Sequence, residues 1–141
     1  MKKTILYISA IMLVFTSLCS CKNQNKNTVN EPEAEEIQNY RRVDVAEFKE
    51  VLKDTTVVLV DVRTPEENAQ GCIPGTRFNI NVLNENFTNK SLKLLEEGAT
   101  VAIYCRSGNR SQTAAQMLVD NGFKVIELAT GYKGWAAAEN D

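Results

Sequence analysis

The chain has 141 residues, 43% of them hydrophobic and 24% charged, which suits one globular domain with an appendage rather than two domains. A formal net charge of −2 argues against nucleic acid as a main partner, and the absence of histidine removes imidazole as general base and as metal ligand. Any catalysis must run on cysteine, carboxylates, arginine, lysine or hydroxyls, and no metal site is expected.

The first residues read as a targeting segment. "MKK" supplies positive charge, and Ile5 to Leu18 is an apolar run too short for a comfortable membrane span, which needs about 20 residues. "LCSC", Leu18 to Cys21, resembles a bacterial lipobox, with Ser20 before the cysteine to be lipidated. This predicts a lipoprotein signal peptide over 1–20, lipidation at Cys21 and a membrane-anchored protein of the bacterial cell envelope, periplasmic or surface-facing. Residues 22–39 are rich in Asn, Gln, Lys and Glu and hold almost nothing to bury, so 21–39 reads as lipidated cysteine and flexible tether.

From residue 40 to 141, strand and helix signals alternate. "YRRVD" is a short strand. Asp44 can cap the helix "VAEFKEVLK", with Glu47 completing a capping box. Thr56 to Val62 is a β-branched, nearly all-apolar run, as in a strand covered on both faces. Thr64 caps the next helix, with Pro65 at its first position and Glu67 at its third. "FNINV" is a weaker strand, "SLKLLEEG" a short helix and "TVAIYC" a second buried strand. Ser111 to Asn121 has helical apolar spacing; "KVIEL" is the last strand and "YKGWAAAEN" a final helix. The alternation predicts an α/β domain with a mainly parallel sheet and helices on both faces. Sites in such sheets form beyond the carboxyl ends of the strands, where Cys105, Asp61 and Arg63 would lie. Cys72 precedes a strand and is expected at the opposite end, so no disulfide to Cys105 is expected.

Cys105 opens the loop "CRSGNRS". A thiol attacks as its thiolate, and at an unperturbed pKa near 8.5 only about 3% is ionised at pH 7. Making the thiolate dominant takes roughly two units, about 2.7 kcal/mol. A helix N-terminus gives about 0.3 to 1 kcal/mol, up to about 2 in favourable geometry, so the helix near Ser111 falls short alone. Arg106 and Arg110, with the loop's own N–H groups, are expected to supply the rest. Gly108 lets the loop curl. The pattern predicts an anion cradle around a thiolate.

"CRSGNRS" resembles the active-site loop of rhodanese-type sulfurtransferases. "DVRTPEENAQGCIPGT", Asp61 to Thr76, resembles that family's Asp-x-Arg, Glu, Gly-His-Ile-x-Gly-Ala run, and "GYKGW" its terminal Gly and Trp. The likeness covers about residues 40 to 137 and implies a single rhodanese-like domain. It implies Cys105 as the residue that takes a sulfane sulfur as a persulfide, residues 106 to 110 as its cradle with Arg106 facing the anionic donor, and Asp61 and Arg63 as supporting scaffold. Thiosulfate or a related donor, a thiol or cyanide acceptor, and no cofactor follow from the resemblance. Cys72 stands at the family's histidine, Thr76 at its alanine, Asn68 at an aromatic and Thr130 at the first of two glycines. Two other readings stand beside this one. A cysteine phosphatase or arsenate reductase also cradles a thiolate, but with five residues between Cys and Arg, against four between Cys105 and Arg110. A non-catalytic rhodanese-like module would only present a surface.

Overall fold

The computed structural model describes residues 39–140. The signal-peptide and Cys21 expectations fall on residues 1–38 and lie outside them. Five strands form one all-parallel sheet in the order β1-β5-β4-β2-β3: β1 (Arg41–Val43), β2 (Val58–Asp61), β3 (Phe78–Asn79), β4 (Thr100–Tyr104) and β5 (Lys124–Leu128). The helices between and after them are α1 (Val45–Val51), α2 (Pro65–Ala69), α3 (Phe87–Leu94), α4 (Arg110–Val119) and α5 (Gly131–Ala138). Among the described residues no helix is long and apolar enough to cross a membrane.

Strand alternation sorts the core into two layers. Val60, Val101, Ile103 and Val125 face α3 and α4 with Phe87, Ala114, Ala115 and Leu118. Leu59, Ala102, Tyr104, Ile126 and Leu128 face α1 and α5 with Phe48 and Trp135. The sheet is therefore buried on both faces, which is why β2 and β4 read as unbroken apolar runs.

Local chemistry sets the ends. Asp44 caps α1 by accepting from Glu47 N–H at 2.9 Å, while the Glu47 carboxylate pairs with Arg41. Thr64 and Glu67 form the reciprocal capping box of α2. The α3 helix starts at Phe87 rather than at Ser91, because Phe87 and Ser91 bury one face a turn apart and Leu95 then turns extended into the core. Strand β3 keeps only two residues of "FNINV".

Candidate active site

Cys105 follows β4 directly and is 1% exposed, on the layer shared with α4. Its Sγ accepts from Gly108 N–H at 3.2 Å and faces the Ser111 hydroxyl at 3.3 Å. Burial pushes the thiol up. The Ser111 hydroxyl and the backbone N–H groups of Ser111, Ser107 and Gly108 pull it down, and the balance lies below the ordinary thiol value.

The neighbouring helix explains why the amides point inward. At the start of α5, Tyr132 N–H donates to Cys105 O at 2.8 Å and Lys133 N–H to Arg106 O at 3.0 Å. A trans peptide plane that turns the Arg106 carbonyl toward α5 turns the Ser107 N–H the other way, toward sulfur. The free amides of a helix N-terminus thus orient the loop from behind. Gly108 has φ 85°, and a Cβ there would sit 1.8 Å from Ala129 O; one at Gly131 would sit 2.6 Å from Cys105 O. The loop lies flush on the β5–α5 turn, and only glycines permit that approach.

Arg110 is held by a carboxylate and also interacts with the charge of Cys105. Arg110 places Nη1 and Nη2 on the two carboxylate oxygens of Glu67, each at 2.7 Å, and this pair holds Glu67 at a pKa of about 2. Its guanidinium is committed to α2, and Arg106 is exposed. The thiolate is favoured chiefly by the Ser111 hydroxyl and the amides, and Arg110 interacts with its charge. Ser107 and Asn109 are exposed, and the Gly108 carbonyl accepts from Gln112 Nε2 at 2.7 Å.

Asp61 and Arg63 form a buried ion pair. Asp61 Oδ2 accepts from Arg63 Nη2 at 2.6 Å and from Asn68 Nδ2 at 2.9 Å, and Arg63 Nη2 also donates to Gly71 O at 2.7 Å. The Arg63 guanidinium lies over Tyr132, 4.3 Å from the ring centroid. This pair ties β2, α2 and α5 together, and Asn68 completes it. Thr76 donates to Ile73 O at 2.6 Å and lies 2.9 Å from the Tyr104 hydroxyl.

Cys72 is exposed and Cys105 buried, and both are free thiols. The expected opposite-end position of Cys72 is not what is found. Its neighbour Gly71 is bound by Arg63 and abuts the Tyr132 hydroxyl, because the segment before β3 crosses the carboxyl end of the sheet before descending. A cleft of about 360 Å³ opens at this end, lined by Arg63, Glu67, Gln70, Arg106, Tyr132 and Lys133. Among the described residues no cluster of His, Cys, Asp and Glu could hold a metal ion.

Three features of the site were not singled out in the sequence: Ser111 as a partner of sulfur, Glu127 behind it, and the Glu67–Arg110 tie. A charge within the apolar strand "KVIEL" was the available sign for Glu127.

The family model for the rhodanese-like domain matches residues 44–138. A protein of Allochromatium vinosum named sulfurtransferase is 36% identical over 96 residues, covering 67% of this chain and 86% of that one. A thiosulfate sulfurtransferase GlpE of Pseudoalteromonas translucida is 30% identical over 103 residues, covering 72% and 94%. The crystal structure of a rhodanese-related protein from Thermoplasma volcanium superposes with a TM-score of 0.60 at 28% identity, covering 70% of this chain and 93% of that one. With a parallel five-stranded sheet, a thiol in an amide cradle at its carboxyl end and this match over most of the domain, the chain belongs to the rhodanese-like domain family.

Proposed function

We propose that this protein is a sulfurtransferase that carries sulfane sulfur as a persulfide on Cys105. The observation that carries this reading is the geometry at Sγ, a buried sulfur met by a backbone amide and a hydroxyl at 3.2 and 3.3 Å, its thiol held below the ordinary value. The thiolate attacks the outer sulfur of thiosulfate or a similar anionic donor. A new S–S bond forms, the donor's S–S bond breaks and sulfite leaves. A thiophilic acceptor, cyanide or a thiol, then attacks the terminal sulfur and the Cys105 thiolate departs, which is covalent catalysis in two halves. The exposed Arg106 and Lys133 at the cleft favour an anionic donor.

Phosphate chemistry fits less well. Arginine commonly grips a phosphoryl group with two guanidinium nitrogens, and Arg110 gives Nη1 and Nη2 to Glu67.

The test assays the full chain with thiosulfate and cyanide beside an aryl phosphate. Thiocyanate should form, Cys105→Ser should abolish it, and Cys72→Ser should leave most of it. Mass spectrometry after thiosulfate should place one added sulfur on Cys105. Full activity in Cys105→Ser, or phosphate turnover above sulfur transfer, would refute the reading.

We also propose that the domain is held at a membrane of the bacterial envelope through lipid on Cys21, a reading supported by "LCSC" behind a charged and apolar leader. Expressed with its leader in a bacterium, the chain should incorporate labelled palmitate and sediment with membranes, and Cys21→Ala should lose the label. A label that survives in Cys21→Ala and vanishes in Cys19→Ala would move the site to Cys19.

A further inference from the structure

Glu127 is a buried charge that the sulfur-transfer reading leaves without a role. It is 0% exposed, in register between Arg42 of β1 and Ile103 of β4. Alternation turns it, like Val125, toward α4, where Oε1 lies 2.5 Å from Ser111 Oγ. Its Oε2 has no hydrogen-bond partner among the described residues; Arg42 Nε faces it at 3.3 Å, close enough to pair but outside hydrogen-bonding geometry. A carboxylate with so little solvation is costly as an ion and comfortable as an acid, and burial pushes its titration up.

The Ser111 hydroxyl stands between two acceptors, Cys105 Sγ at 3.3 Å and Glu127 Oε1 at 2.5 Å, with one proton to give. Two arrangements satisfy the chain. With Glu127 ionised, Ser111 donates to it and takes a hydrogen bond from the thiol. With Glu127 protonated, the acid donates to Ser111 and Ser111 donates to the thiolate.

We propose that Cys105, Ser111 and Glu127 form a proton relay, in which Glu127 stores, by way of the Ser111 hydroxyl, the proton that Cys105 gives up on becoming the thiolate. The S–H bond breaks and Ser111 Oγ gains that proton, while the O–H bond of Ser111 breaks and Oε1 gains the other. The cluster carries one negative charge before and after, so the proton shift itself puts no second anion in the buried space. Glu127 faces Arg42 from β1, Ser111 from α4 and, through Ser111, Cys105 from the loop; its β4 neighbour Ile103 is apolar. No histidine exists in the chain to serve instead. Glu127 touches neither sulfur nor substrate and acts as a positioning residue. The proposal rests on Cys105 as the working thiol and not on which donor it meets.

Infrared difference spectra of the full chain at neutral pH test it. The wild type should show the carbonyl stretch of a protonated carboxyl group that Glu127→Gln lacks. Cys105→Ala should lose the same band, since without the thiolate Glu127 ionises beside Arg42. Alkylation of Cys105, followed by peptide mass spectrometry, should show a pH profile spread over two coupled steps in the wild type and one step in Glu127→Gln. Ser111→Ala should slow alkylation roughly tenfold at neutral pH, and Ser111→Thr, which keeps the hydroxyl, should recover it. A carboxyl band indifferent to Cys105, or a single-step wild-type profile, overturns the relay; should Glu127→Gln fail to fold, the wild type and Cys105→Ala decide the matter. Slow, thiol-like alkylation of wild-type Cys105 overturns the thiolate and the relay together. A coupled band without thiocyanate formation supports the relay and refutes only the sulfur-transfer reading.

Discussion

Gly108 and Cys105 set the residue scale. The φ of 85° at Gly108 and its approach to Ala129 O leave no room for a methyl group, and the same residue gives its N–H to sulfur. Gly108→Ala should therefore cost about 2 to 4 kcal/mol of stability, more than left-handed backbone alone. It should lower sulfur transfer further than that loss explains, because the amide swings away from Sγ. Denaturant melts and thiocyanate rates on the same preparation check this; a variant as stable and active as the wild type would contradict the tight seating of the loop. Cys105 itself has a thiol held below its ordinary value by Ser111 and three amides against the opposing effect of burial. The thiolate fraction is lost as pH falls through that lowered value. The first step of the Cys105 alkylation profile should accordingly have its midpoint below the ordinary thiol value. A midpoint at or above it would mean that desolvation wins.

At the scale of elements, the cradle is held by helices on either side of it. The α5 N-terminus takes the carbonyls of Cys105 and Arg106, and the Glu67–Arg110 pair fastens α2 to the start of α4. Glu67 titrates near 2, well below its unfolded value of 4.5, because Arg110 is hydrogen-bonded to its carboxylate. A depressed carboxylate contributes stability above its unfolded pKa, and that stability is lost as pH falls through the folded value. Both side chains are about a quarter exposed, so screening keeps the contribution modest. Thermal melts between pH 5 and about 2 should show the wild type losing stability faster than Glu67→Gln. Parallel curves would mean that the pair contributes no folding energy. The sequence marks Glu67 as a capping residue and Arg110 as a cation near the thiol. Their pairing spans 43 positions and depends on how α2 lies beside α4, which no local pattern encodes.

Across the whole molecule, α5 links the core to the site. Trp135 packs edge-on against Phe48 of α1, with ring centroids 6.4 Å apart, and the same helix orients the active-site loop. Trp135→Ala should cost about 3 kcal/mol and reduce transfer under conditions where the variant is still folded. A destabilised variant with wild-type turnover would show that the loop does not depend on the seating of α5. By itself the sequence determined the parallel α/β domain, the chain order of its elements and the thiol in a glycine-bearing loop after β4. Apolar runs, caps and turn residues act over a few positions and need no partner to be read. Tertiary structure alone decided what surrounds the sulfur. The order β1-β5-β4-β2-β3 sets β5 between β1 and β4, bringing Glu127 beside Arg42 and, across the α4 face, against Ser111. It also set Arg110 on the Glu67 carboxylate and carried the Gly71 segment to the cleft end of the sheet. Each of these depends on strand order and helix seating, which are fixed by the burial of the entire core rather than by neighbours along the chain.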